Sequence, residues 1–186
     1  MRLNKILKNA LLVISAGIIL TACATKKEVA VEAPKKEETK KEETKKEEEV
    51  TKIEKIAGQM QGDVYVGTDS VKYLADGVAD RVFFATNESI LTTASRETLR
   101  AQAAWLRANS NNTVVLEGHA DERGTREYNL ALGERRANAA KDYLMTYGVS
   151  SDRITVISYG KERPVDSGSN PLAWSKNRRS VTVKAN

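Results

Sequence analysis

The sequence predicts an α/β fold, a sandwich with helices packed on one face of a mixed sheet, and two observations carry that prediction. From about Val71 onward short apolar runs alternate with stretches of helical periodicity. Their order is βαβαβ(α)β, which suits helices covering a sheet of mixed direction.

The elements follow in order. Residues 81–86 (RVFFAT) read as a strand, and residues 93–108 as a helix with Leu99, Ala103 and Leu106 at i, i+4 and i+7. Residues 113–118 (TVVLEG) form a second strand, and residues 129–147 a helix closed by Gly148. Residues 153–159 (RITVISY) form a third strand. A loop with Pro164 and Pro171, a short helix over 172–177 and a last strand over 180–184 complete the set.

Ahead of this domain the chain has a different character. Residues 1–23, MRLNKILKNALLVISAGIILTAC, have a basic start at Arg2, Lys5 and Lys8, then an apolar run and small residues before Cys23. That is the layout of a secretory signal peptide. The apolar run over residues 10–20 is short of the roughly 17 to 25 residues a membrane-spanning helix needs, so it predicts export rather than a permanent span. Cys23 is the sole cysteine, which excludes an intramolecular disulfide. It is either a chance thiol in a discarded leader or the lipid-bearing residue of Leu20-Thr21-Ala22-Cys23, which resembles a bacterial lipoprotein box. The coincidence of basic start, short apolar run and cysteine favours the lipoprotein, with residues 1–22 as its signal peptide. Two or more acyl chains on Cys23 would anchor it stably where one would not.

Residues 26–56 hold ten Lys and ten Glu, including the repeat KKEETKKEETKKEEE. Such a segment cannot bury enough surface to offset its ordering entropy, so residues 23–70 read as the lipidated N-terminus and a solvated tether, and 71–186 as the domain. Glu37 with Lys41 and Glu42 with Lys46 support transient helix by about 0.2 to 0.5 kcal/mol each. The stretch between Cys23 and the domain could span roughly 150 Å at about 3.3 Å per residue. Of the formal net charge of +5, the leader's three cations supply most and leave +2, which removes the compositional case for nucleic-acid binding.

The stretch GHADERGTREYNLALGERRA, residues 118–137, gathers eight charged residues around the only histidine. On a helical wheel Leu132, Ala139, Ala140, Tyr143 and Tyr147 share an apolar arc with Arg136 in its middle and Asn129 on the same face. A core-facing guanidinium stays charged and cannot be left unpaired, so a carboxylate is expected nearby. Asp121 is the candidate, because polar sites in open α/β sheets gather beyond the carboxyl ends of strands. Two readings stand. Asp121 and Arg136 form a buried structural ion pair, or they line a pocket rim and offer their remaining capacity to a zwitterion, Arg136 to its carboxylate and Asp121 to its ammonium.

Catalysis has less support. His119 lacks a second histidine or a domain cysteine for a zinc site, and Ser158-Tyr159-Gly160 lacks the preceding glycine of a nucleophile elbow. The expectation is a hydrogen-bonded histidine at a strand end, and no enzyme, metal or cofactor. The basic run Lys176-Asn177-Arg178-Arg179 has no interleaved aromatics and reads as a ligand-facing rim or a solvated turn.

GHADERGTREYNLALGERRA, with SYGKERP at 158–164 and WSKNRRSVTV at 174–183, resembles the OmpA-like peptidoglycan-binding domain over roughly residues 80–186. The resemblance implies a site in which Asp121 and Arg136 hold the diaminopimelate of the peptidoglycan stem peptide. Arg136 stands in an Asn-x-x-Leu-x-x-x-Arg-Ala pattern with Asn129, Leu132 and Ala137. Ala120 beside Asp121, Thr86 and Asn87 after the first strand, and Arg178 before the last strand are implied as further ligand contacts. The lipid box and the tether are similar to those of family members anchored in the outer membrane with the domain in the periplasm. Those members work with the Tol proteins, TolB among them, in cell division and envelope integrity. One departure is plain: many relatives carry Phe-Asp-x-Asp after the first strand, whereas this chain reads Phe84-Ala85-Thr86-Asn87. Asp121 is then expected to be the main anion near the ligand ammonium.

Overall fold

The computed structural model describes Thr51 and residues 58–185; the expected signal peptide, Cys23 and nearly all of the Lys/Glu arm lie outside the described residues. Two short antiparallel hairpins come first, β1 (Met60–Gln61) with β2 (Val64–Tyr65) and β3 (Tyr73–Ala75) with β4 (Val78–Ala79). Folded chain therefore begins before the expected boundary at residue 71. Tyr65 is the reason: its ring packs edge-on against Phe83, centroids 4.7 Å apart, and is almost fully buried.

The main sheet has four strands, β5 (Arg81–Phe83), β6 (Thr113–His119), β7 (Ile154–Gly160) and β8 (Arg179–Ala185). Their order is β5-β8-β6-β7, with β8 antiparallel to both neighbours and β6 parallel to β7. The last strand thus lies inside the sheet. Helices α1 (Thr93–Ala108), α2 (Arg126–Thr146) and the short α3 (Pro171–Asn177) join these strands, with a 3-10 turn at Ser151–Arg153.

Each helix starts on a capping side chain. Thr92 accepts from the Ser95 N–H, Thr125 from that of Tyr128 and Asn170 from that of Ala173, with Pro171 pre-set for the first turn of α3. The C-terminal carbonyls of α1 are satisfied by a distant residue: Arg153 donates to Leu106 O and Asn109 O at 3.0 and 2.9 Å. Alternate strand positions Val82, Phe84, Val114, Leu116 and Ile154 meet Leu99, Ala103 and Leu106 of α1 and Ala137, Ala140 and Leu144 of α2 in one core.

The buried stripe of α2 differs from the expected arc. Asn129, Leu132, Gly133, Arg136, Ala137, Ala140 and Leu144 face inward, whereas Tyr147 stays exposed. Gly133 turns the helix to this angle, because its backbone rests directly on Gly118 of β6: a Cβ built on Gly118 would stand 1.8 Å from Gly133 O. Helix and strand can approach so closely only where both lack side chains.

Candidate functional site

Asp121 lies just beyond β6, as expected, where the Ala120 N–H still bonds Gly160 O at 2.8 Å and keeps Ala120 buried. Its carboxylate is 7% exposed and accepts four donors. Oδ1 takes the Arg123 backbone N–H and Nε, both at 3.1 Å, and Oδ2 takes Arg123 Nη2 at 2.7 Å and Arg178 Nη1 at 3.2 Å. Burial alone would raise this carboxyl, but the hydrogen bonds from Arg123 and Arg178 outweigh it and hold the group below the ordinary carboxylate range.

Arg136 corrects the first of the two sequence readings. It is fully buried, yet it makes no ion pair with Asp121; its partners are backbone carbonyls. Nε donates to Glu88 O at 2.8 Å, Nη1 to His119 O at 2.9 Å and Nη2 to Ala85 O at 3.0 Å. The guanidinium therefore ties the loop after β5 to the end of β6. Burial brings it down to about 10, nearby Arg178 adding to that and Asp121 opposing it, so it remains charged at neutral pH.

The cation bonded to Asp121 from the far end of the sequence is Arg178, at 2% exposure, which excludes the solvated-turn reading of residues 176–179. Its Nε donates to Phe84 O at 3.1 Å and its Nη2 to the Asp63 carbonyl. Asp63 is a residue that sequence reasoning missed. It sits at the β1–β2 turn, with its Oδ2 accepting the Thr86 N–H at 2.7 Å and lying 4.0 Å from Arg178 Nη2. The signal was Gly62-Asp63 between Met60-Gln61 and Val64-Tyr65, a two-residue hairpin connection with Gly62 at φ 63°. Asp63 thus adds a carboxylate beside the neutral Thr86–Asn87 loop. Asn87 itself holds a left-handed φ of 58°.

Arg123, Glu122 and Trp174 were missed as well. The Arg123 guanidinium lies 4.3 Å above the Trp174 ring and reaches Thr86 Oγ1 at 3.4 Å. Trp174 Nε1 donates to Glu122 Oε1 at 2.8 Å. Asn129 Nδ2 donates to Arg123 O at 2.7 Å, and Leu132 is buried one turn before Arg136. The structure so brings Asp121, Arg178, Arg136, Asn129 and Thr86 into one cluster, buried except at Thr86. Two hollows lie elsewhere and are lined by neither Asp121 nor Arg136. One is a cavity of about 330 Å³ between the first hairpin and α1, the other a cleft of about 780 Å³ on the sheet face opposite the helices.

His119 is also a correction. It is 1% exposed and stacks on Tyr159 at 5.6 Å, but neither ring nitrogen hydrogen-bonds to any described residue; Glu117 Oε2 is 3.5 Å from Nε2. Burial, then the charges of Arg179, Arg81 and Arg163, push it down to about 3. An unfolded histidine titrates near 6.5, so below that pH the unfolded chain binds a proton the folded chain refuses. Stability is expected to fall as pH drops from about 6.5 toward 3, at up to about 1.4 kcal/mol per pH unit. Carboxylates with lowered values, Asp63, Asp121 and Asp152, lose most of their contribution only below the unfolded value of 3.8, so most of the loss between pH 6.5 and 4.5 is expected from His119. Urea midpoints at pH 7 and 4.5 check this: the difference should shrink in His119→Gln, and an unchanged difference would refute the assignment. Among the described residues no cluster of His, Cys, Asp and Glu could hold a metal ion, and no helix is long and apolar enough to cross a membrane.

A sequence model described as the OmpA family matches residues 83–178. A peptidoglycan-associated lipoprotein of Mesorhizobium japonicum is 54% identical over 106 residues, covering 57% of this chain and 63% of its own length. The chain thus spans less than two thirds of that relative, and likewise 60% of the corresponding protein of Agrobacterium fabrum, at 52% identity over 57% of this chain. Against that of Pasteurella multocida it is 40% identical over 131 residues, 70% of this chain and 83% of that protein. The crystal structure of the peptidoglycan-associated lipoprotein from Burkholderia pseudomallei aligns at a TM-score of 0.56 and 34% identity, over 57% of this chain and 90% of that one.

Proposed function

The chain belongs to the OmpA family, and from that premise we propose that it is a non-enzymatic anchor that binds peptidoglycan through the diaminopimelate of its stem peptides. In this reading lipid on Cys23 holds the protein in the outer membrane, the Lys/Glu arm crosses the gap, and the domain grips the wall from the periplasm. The observation that carries it is the Asp121 rim: a buried carboxylate kept ionised by two arginines, next to a third arginine whose charge is uncompensated by any carboxylate hydrogen bond among the described residues. A side chain ending in both ammonium and carboxylate complements that pattern. The relatives' name, peptidoglycan-associated lipoprotein, supports the wall as the ligand, and its second half supports Cys23 as the anchor.

Joining two attachments lets a weak wall contact act at high local concentration, which suits an anchor. Work with the Tol proteins, TolB among them, in cell division and envelope integrity completes the proposal; co-purification with TolB checks it. A hydrolytic role for His119 is opposed by a ring buried away from solvent and held neutral far below physiological pH.

Titration of the full chain with a diaminopimelate stem peptide, beside the same peptide carrying lysine, tests the core of the reading. Saturable binding to the first and much weaker binding to the second is expected. Asp121→Ala should weaken that binding at least tenfold, since Arg123 and Arg178 lose the carboxylate that holds them in place. Equal binding to both peptides, or parent-like binding by the variant, would refute it.

A further inference from the structure

Asp121 has no room for another donor. A carboxylate offers about four lone-pair positions, and four N–H groups occupy them, three from Arg123 and one from Arg178. An ammonium arriving at this rim needs a further acceptor. Glu122 is engaged, with Oε1 on Trp174 Nε1 and Oε2 on Ser169 Oγ at 3.1 Å.

Asp63 is differently placed. Its side chain is 48% exposed, and its Oδ2 bonds the Thr86 N–H at 2.7 Å. Thr86 is also the residue whose hydroxyl meets Arg123 Nη2, so a single residue bridges Asp63 to the cation sitting on Asp121. The position of Asp63 is fixed rather than casual: Arg178 holds its carbonyl, Val66 N–H bonds Gln59 O at 2.8 Å across the hairpin, and Tyr65 locks onto Phe83. A rigid, half-exposed carboxylate at the edge of a crowded one is placed to receive a ligand cation.

We propose that Asp63 is a second ammonium-binding residue of this site, so that the β1–β2 hairpin belongs to the binding surface and helps select ligands with a free side-chain amine. The proposal rests on the wall-binding reading above. Asp63→Asn in the full chain tests it, because the amide oxygen can still accept the Thr86 N–H while the charge is gone. Parent and variant would be titrated with a diaminopimelate stem peptide and with the same peptide acetylated on its side-chain amine. A charge-assisted hydrogen bond predicts roughly tenfold weaker binding of the free-amine peptide by the variant, and equal binding of the acetylated peptide by both. If the parent binds and Asp63→Asn binds the free amine as well, Asp63 has no such role and the wall-binding reading survives. Equal losses on both peptides would make Asp63 a positioning residue for the hairpin and overturn the proposal. Failure of the parent itself to bind the free-amine peptide would overturn both.

Discussion

Gly118→Ala is expected to unfold the domain or leave it barely stable. The new Cβ would stand 1.8 Å from Gly133 O and 2.4 Å from Gly133 C, and both are backbone atoms of α2 that no rotamer change can clear. The helix would have to lift away from β6, where Leu132, Ala137 and Ala140 contribute to the buried interior. The same crossing holds Ser158 Oγ on Leu130 O at 2.6 Å, so the neighbouring strand would lose its contact too. Overpacking of this kind, with backbone on both sides, belongs to the rare class costing about 4 kcal/mol or more. For a domain of this size that lowers Tm by on the order of 15 °C. Thermal unfolding followed by circular dichroism checks it, and a Tm within a few degrees of the parent would show that α2 and β6 are less tightly seated than described.

Arg136→Ala carries the second large effect, with two components. Removing the guanidinium takes the buried His119 carbonyl's donor away, at a cost of about 1 to 3 kcal/mol, and opens a cavity where the side chain lay; Ala85 O keeps the Glu88 N–H at 3.2 Å, and Glu88 O is within reach of water. Water entering the space recovers part of this, so a net loss of about 3 to 5 kcal/mol of stability is expected in urea unfolding. The second component is ligand binding, which should fail because the Ala85–Glu88 loop no longer has a fixed place against β6. Arg136→Lys separates charge from geometry. An ammonium keeps the positive charge but cannot reach three carbonyls in a planar fork, so lysine should recover only a minor share of the stability. Recovery close to the parent would mean that the charge alone matters and that the three carbonyl bonds contribute little.

Much of this architecture could be read from the residues. Helix α1 occupies the expected 93–108, because Leu99, Ala103 and Leu106 give it clean periodicity and Thr92 a cap. The position of Asp121 was legible, because it follows a strand that TVVLEG announces plainly. The partner of Arg136 was not. A helical wheel fixes the direction in which a side chain points but not what meets it there, and carbonyl acceptors belong to every residue, so they leave no mark in a sequence. Asp63 escaped for another reason: β1 and β2 have two residues each, too short for any period, and only the Gly62-Asp63 turn hinted at them. Tyr147 was assigned inward because the wheel weighs hydrophobicity, whereas the glycine contact at Gly133 sets the helix's actual rotation.

The central position of β8 has a consequence in time. During synthesis the chain emerges from its N-terminal side, so β5 and β6 are delivered early, yet neither pairs with the other; both pair with β8. Until residues 179–185 arrive, the sheet consists of β6 and β7 alone, and Asp121 lacks Arg178. A chain stalled or clipped ahead of β8 therefore presents neither the complete sheet nor the Asp121–Arg178 pair. Long-range pairing of this sort slows folding.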